Sequence, residues 1–113
     1  SDEKMSKSLN NFITLKSLEE KNITPLAYRY WLLQAKYRTT VNFTWEAVAA
    51  AQTGYERLMK KVKNLPEGDE VNQELKQQFL DAINDDLNTA KALTILPDNQ
   101  KTWREFDKVL GLS

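Results

Sequence analysis

Asn22-Ile23-Thr24-Pro25-Leu26-Ala27-Tyr28-Arg29-Tyr30-Trp31-Leu32-Leu33 is the stretch on which the fold turns. Thr24 is an N-cap residue, because its hydroxyl can accept from a free amide of a first helical turn. Pro25 follows at the first helical position, where its missing N–H is no loss and its φ is already suitable. The spacing after it predicts a helix from 25 to about 37. That helix is apolar nearly all round. Leu26, Tyr30 and Leu33 form one row; Tyr28, Trp31, Leu32 and Ala35 fill another. Such a helix needs partners on most of its sides.

The rest of the chain supplies helices. Only three Gly and three Pro punctuate its 113 residues, and the periodicity between them is helical. Residues 1–13 read as loop. Thr14 can cap a short helix to about residue 21. Residues 38–43 form a connector rich in β-branched residues. Thr44 then caps a longer helix to about residue 64. Its stripe is Trp45, Val48, Ala49, Tyr55, Leu58, Met59 and Val62. Leu65-Pro66-Glu67-Gly68-Asp69 is a turn. A fourth helix from about residue 70 carries Val71, Leu75, Phe79 and Ile83 at i, i+4 spacing. Asn88 or Thr89 caps a fifth that ends near Leu96. Pro97-Asp98-Asn99-Gln100 breaks it. The last helix carries Trp103, Phe106 and Leu110, with Gly111 as its stop. No repeat, low-complexity tract or sheet-forming alternation interrupts this pattern. The expected fold class is all-α, a helical bundle.

Composition narrows the function classes. The length suits one domain. Hydrophobic residues make up 41% and charged residues 28%, ordinary for a soluble globular chain. Formal net charge is zero, so the chain as a whole has no bulk electrostatic case for nucleic acid. No apolar run is long enough for a membrane span, and no secretory signal opens the chain. Cys and His are both absent. That excludes a disulfide framework and a Cys/His metal site built from this chain alone. It also fits a reducing cytoplasm.

Lys4-Met5-Ser6-Lys7-Ser8 carries the chemistry. Two lysines in a short, Ser-bearing loop can reach a triphosphate from one side. Ser6 and Ser8 either donate to phosphate or keep the loop soluble. The other reading of Lys4 and Lys7 is a solvated tail of mixed charge. The run resembles the KMSKS signature of class I aminoacyl-tRNA synthetases, and the likeness continues. The helix opening at Pro25 looks like the start of the DALR domain of several such enzymes. Lys36-Tyr37-Arg38-Thr39 and Val41-Asn42-Phe43-Thr44 are similar to the His-Tyr-Arg-Ser and Leu-Asn-Tyr-Ser pattern of cysteinyl-tRNA synthetases. Asp85-Asp86-Leu87-Asn88-Thr89-Ala90-Lys91-Ala92-Leu93 resembles their Asp-Asp-Phe-Asn-Thr-Pro segment, and Val109-Leu110-Gly111-Leu112 the close of their helical domain. Three departures stand out. Lys36 replaces the usual His, Ala90 replaces the usual Pro, and the stretch from Leu93 to Trp103 is shorter than the family's.

The resemblance implies the back part of a longer enzyme, beginning just before its last catalytic motif. Residues 1–20 would be the KMSKS loop and a short connecting helix, a remnant of the catalytic domain. Residues 21–113 would be the DALR-type, anticodon-binding-domain-like bundle. The parent would ligate cysteine to cysteine tRNA through a cysteinyl-adenylate, using ATP with Mg. Lys7, with Lys4, would meet the ATP phosphates as the cysteine carboxylate attacks the α-phosphorus. An ammonium there can be worth more in the transition state than in the ground state. Zinc would sit in the upstream core, with no metal in this chain. The chain alone is expected to be inactive, monomeric and cytoplasmic.

Other residues carry two readings each. Arg57, Lys60, Lys61 and Lys63 could meet tRNA phosphates, or could be cations favoured at a helix C-terminus. Asp85 and Asp86 could be a catalytic pair, but acids ahead of a helix start explain them better. Tyr28, Tyr30, Trp31 and Trp45 could stack on bases, though their spacing favours core packing. Two other functions remain in view. One is the related ATP-dependent ligase joining cysteine to an amino sugar in mycothiol synthesis. The other is a non-catalytic helical module that binds tRNA or protein.

Overall fold

The computed structural model describes residues 13–35, 43–85 and 88–113. Six helices occupy them: α1 (Leu15–Glu20), α2 (Pro25–Ala35), α3 (Trp45–Lys63), α4 (Gln73–Asn84), α5 (Thr89–Ala92) and α6 (Gln100–Leu110). Among the described residues there is no strand. The all-α expectation holds.

Each helix starts where a Thr or Asn side chain can accept from an orphan amide. Thr14 Oγ1 accepts from Ser17 N at 3.2 Å while Ser17 Oγ accepts from Thr14 N at 2.8 Å, a reciprocal capping box. Thr24, Thr44, Asn72, Asn88 and Asn99 accept from the amides of Ala27, Ala47, Leu75, Lys91 and Thr102. Three boundaries differ from expectation. The fourth helix begins at Gln73 rather than near 70, because Asn72 captures the first turn and leaves Val71 ahead of it. The fifth has four residues and stops at Ala92 instead of near Leu96. There the Thr94 hydroxyl donates to Lys91 O at 2.6 Å, and Thr94 N and Ile95 N bond i→i−3, which tightens the chain out of the helix. Gln100 belongs to the last helix, not to the break before it, since Asn99 is the cap.

The helices enclose two apolar clusters that share α3. The first holds Leu18, Ile23, Ala27, Trp31, Val48 and Ala51. Aromatic edges fill it: Trp31 meets Phe43 at 5.4 Å and Phe43 meets Trp45 at 5.1 Å, both T-shaped. The second holds Val62, Phe79, Ala82, Trp103, Phe106 and Leu110. Tyr30 and Tyr55 pack against both clusters. The α3 stripe differs from expectation at one position. Ala51 is buried and Ala49 is exposed, because α3 turns toward α2 at Val48 and Ala51.

Two tight turns frame the second cluster. Gly68 has φ 78°, and a Cβ there would come within 2.5 Å of Asn99 Cγ. Gly111 has φ 65° and closes α6 in the left-handed conformation. Beyond it, Asp107 Oδ1 accepts from Leu112 N at 2.6 Å, and the Tyr55 hydroxyl donates to Leu112 O at 2.7 Å. Among the described residues, no helix is long and apolar enough to cross a membrane.

Candidate nucleic-acid interface

Lys4, Ser6, Lys7 and Ser8 lie outside the described residues, as do Lys36, Tyr37, Arg38, Thr39, Val41, Asn42, Asp86 and Leu87. The described surface offers one other predicted site, the basic run of α3.

Arg57, Lys60, Lys61 and Lys63 are all exposed, on the last two turns of α3. A 100° step per residue puts Arg57, Lys60 and Lys61 on the side opposite Tyr55, Met59 and Val62, the side chains that face the second cluster, and Lys63 on the flank between. Among the described residues none of the four takes part in an ion pair; Lys76, Arg104 and Lys108 do. Lys60, Lys61 and Lys63 also occupy the last turn, whose carbonyls carry the negative end of the dipole. Both readings of the run are thus compatible with its placement. Beside it lies an apolar cleft of about 350 Å³, lined by Leu58, Lys61, Val62, Leu65, Leu96 and Pro97. Leu96 is 51% exposed on its rim.

The aromatic residues pack in or against the core. Trp31 is buried and stacks on Tyr28 with centroids 6.0 Å apart, and Tyr30 meets Tyr55 at 6.0 Å. Burial raises the pKa of Tyr28 and Tyr30 above the ordinary tyrosine value. Trp45 packs against the first cluster, with Lys21 Nζ 5.7 Å from its ring centroid. Asp85 is the C-cap of α4, exposed, and its carbonyl accepts from Asn88 N at 3.0 Å.

The chain has neither Cys nor His, and among the described residues no three Asp or Glu gather as metal ligands.

Sequence reasoning passed over Arg29, Gln52, Asn99 and Asp107. Their bonds reach partners 81 residues away for Arg29, 28 and 30 for Gln52, 29 for Asn99, and six or fewer for Asp107. Asp107, ahead of the Gly111 stop, and Asn99, as the cap of α6, left local signals.

Comparison with known proteins shows what this chain is similar to. The family model for the catalytic domain of class I (C) tRNA synthetases matches residues 1–53. That stretch takes in α1, α2 and the first half of α3, which build the first cluster. Cysteine–tRNA ligase 1 of Burkholderia lata is 40% identical over 119 aligned residues, covering 96% of this chain and 25% of that protein. The cysteine–tRNA ligase of Chlorobaculum tepidum is 41% identical over 98 residues, 82% of this chain and 20% of its own. That of Synechococcus elongatus is 38% identical over 118 residues, again 96% and 25%. The chain spans about a quarter of the length of these relatives. No solved structure matches it. The chain is therefore a homologue of the cysteine–tRNA ligases, of the class I tRNA synthetases, over nearly all of its own length.

Proposed function

We propose that the chain serves as the KMSKS loop and helical domain of a cysteine–tRNA ligase working in the cytoplasm. One observation carries the reading. Similarity to these ligases runs through 96% of the chain and is not confined to one motif. On this reading residues 1–20 are the loop and connecting helix, and residues 21–113 the helical domain. Lys7, helped by Lys4, Ser6 and Ser8, meets the phosphates of ATP and its Mg while cysteinyl-adenylate forms. Lysine suits that task as a point charge. Arg57, Lys60, Lys61 and Lys63 meet tRNA phosphates.

The apolar surface of the N-terminal half supports the assignment. Leu15, Leu26 and Leu32 are 70%, 40% and 43% exposed. A cleft of about 480 Å³ runs between Leu15, Ile23 and Pro25. All of these residues fall within the stretch matched by the catalytic-domain model. They offer a seat for the remainder of such a domain, the partner that the all-round apolarity of α2 requires.

The test is a chimera in which this chain replaces the matched quarter of the Burkholderia lata ligase. The expected result is cysteine-dependent exchange of pyrophosphate into ATP and charging of cysteine tRNA, both within about 10-fold of the parent. A folded chimera that does neither would refute the reading. Ligation of cysteine to an amino sugar, without tRNA charging, would redirect it. The 113-residue chain alone should show no exchange.

A further inference from the structure

The elbow between α1 and α2 takes two hydrogen bonds from one side chain outside it. α1 closes with Asn22 in the left-handed region, φ 59°. Ile23 N donates to Leu18 O at 2.8 Å and Asn22 N to Glu19 O at 3.0 Å. That is a Schellman ending, completed by contact between buried Leu18 and Ile23. Asn is one of the few side chains that tolerate this backbone.

Such an ending, followed at once by the cap of α2, leaves the carbonyl of Asn22 and the amide of Thr24 among the backbone groups outside either helical ladder. Gln52 of α3 takes both. Its Nε2 donates to Asn22 O at 2.8 Å, and its Oε1 accepts from Thr24 N at 2.8 Å. A primary carboxamide carries a donor and an acceptor side by side, so one side chain satisfies the pair. The partners are 30 and 28 residues away in sequence. Lys21 over the Trp45 ring is a second tie between the same turn and α3.

We propose that Gln52 is a positioning residue. Its carboxamide fixes the α1–α2 elbow on α3 and so sets the bearing of α1. This helix has six residues, and its principal helix neighbour is α2. Besides the carboxamide, buried Leu18 and the contact of Lys21 with Trp45 are what hold it to the rest of the fold. The consequence for function rests on the ligase reading. Residues 1–12, with Lys4 and Lys7, run into α1 along the chain. Arg57, Lys60, Lys61 and Lys63 sit on the same continuous helix as Gln52. Gln52 thus ties the helix that would meet tRNA to the element that follows the ATP lysines.

Two measurements test this. In the 113-residue chain, Gln52→Ala should speed amide exchange about 10-fold at Thr24 and at the Lys21 and Ile23 amides, leaving α4 and α6 unchanged. Gln52→Glu keeps only the acceptor when ionised, whereas the protonated carboxyl regains a donor. Its protection factors at these amides should therefore recover as pH falls through the carboxyl range. In the chimera, Gln52→Ala should slow adenylate formation about 5- to 10-fold while the KM for tRNA stays unchanged. Unchanged protection at the elbow would overturn the proposal. So would an equal loss of protection at α4 and α6, since Gln52 would then stabilise the whole fold rather than orient one part. An unmodified chimera without activity would refute the ligase reading alone, and the exchange data would still decide the role of Gln52.

Discussion

Arg29 Nε donates to the carbonyl of Leu110 at 2.6 Å, joining α2 to the end of α6 across 81 residues of sequence. The contact sits against Gly111, where a Cβ would lie 3.1 Å from both Arg29 Nε and Nη2. Gly111→Ala combines a left-handed backbone with this crowding. It should destabilise the fold by about 1–2 kcal/mol, read from urea midpoints. Arg29→Met should cost about 1 kcal/mol by removing the donor to a part-buried carbonyl. The two changes act on one contact, so their sum should depart from the double variant. Strict additivity would show that the residues act apart.

Phe79 and Phe106 are each 1% exposed, and their rings stack with centroids 4.2 Å apart and planes 7° from parallel. They bind α4 to α6 at the centre of the second cluster. Phe106→Ala should destabilise by about 3–5 kcal/mol. Exposed Val109→Ala, three residues on, should change stability by less than about 0.5 kcal/mol. Equal losses from the two would misplace the core.

Acid should weaken the fold. Asn72 Nδ2 and Thr102 Oγ1 donate to Asp98 at 2.8 and 3.2 Å, holding its carboxyl below the ordinary value against a smaller desolvation effect. Lys108 and Lys76 do the same for Glu105, at 2.6 and 3.0 Å. A depressed carboxylate contributes stability that is present above its unfolded pKa and lost as pH falls through its folded one. The denaturant midpoint should therefore fall from about pH 4 downward. Tyr55, raised by burial and then by the charge of Asp107, behaves in the opposite sense, with Tyr28 and Tyr30. Their contribution is whole below the unfolded tyrosine value and lost as pH rises beyond about 10. A midpoint that rose between pH 5 and pH 3 would contradict the carboxylate assignments.

Charge reversal separates the two readings of the basic run. In the chimera, Arg57→Glu with Lys61→Glu should raise the KM for tRNA and reduce the salt dependence of tRNA binding by about two phosphate contacts. If the cations serve only the end of α3, tRNA kinetics will not move. Stability will then fall by about 0.3–1 kcal/mol for the last-turn Lys61.

Lys7→Ala in the chimera removes the charge proposed to act as pyrophosphate departs. Adenylate formation should slow by about 10²-fold or more, near 2.7 kcal/mol, with the KM for cysteine little changed. Intact single-turnover activation combined with lost cysteine affinity would assign this lysine a different role.

Most of the secondary structure was legible because its causes are local. Thr14, Thr24, Thr44, Asn88 and Gly111 act on backbone groups within three or four residues of themselves, so their meaning is written beside them. The family likeness was legible for the same reason, in motifs a few residues long. The candidate site was legible only as far as residue type. Four exposed cations near one helix end announce phosphate and a helix terminus equally well.

By itself the sequence determined that the chain is helical, where most of its helices begin, and which family its motifs resemble. The tertiary structure decided which faces of those helices are covered. It buried Ala51 and not Ala49, and left Leu26 and Leu32 exposed on a helix that is apolar nearly all round. It also gave Gln52 two backbone partners and Arg29 a third, each at least 28 residues distant. The physical reason is range. A cap is a contact with the next turn and depends on a few neighbouring residues. A buried face or a long-range hydrogen bond exists only once separate helices have packed, and the periodicity of one helix carries no record of its neighbours.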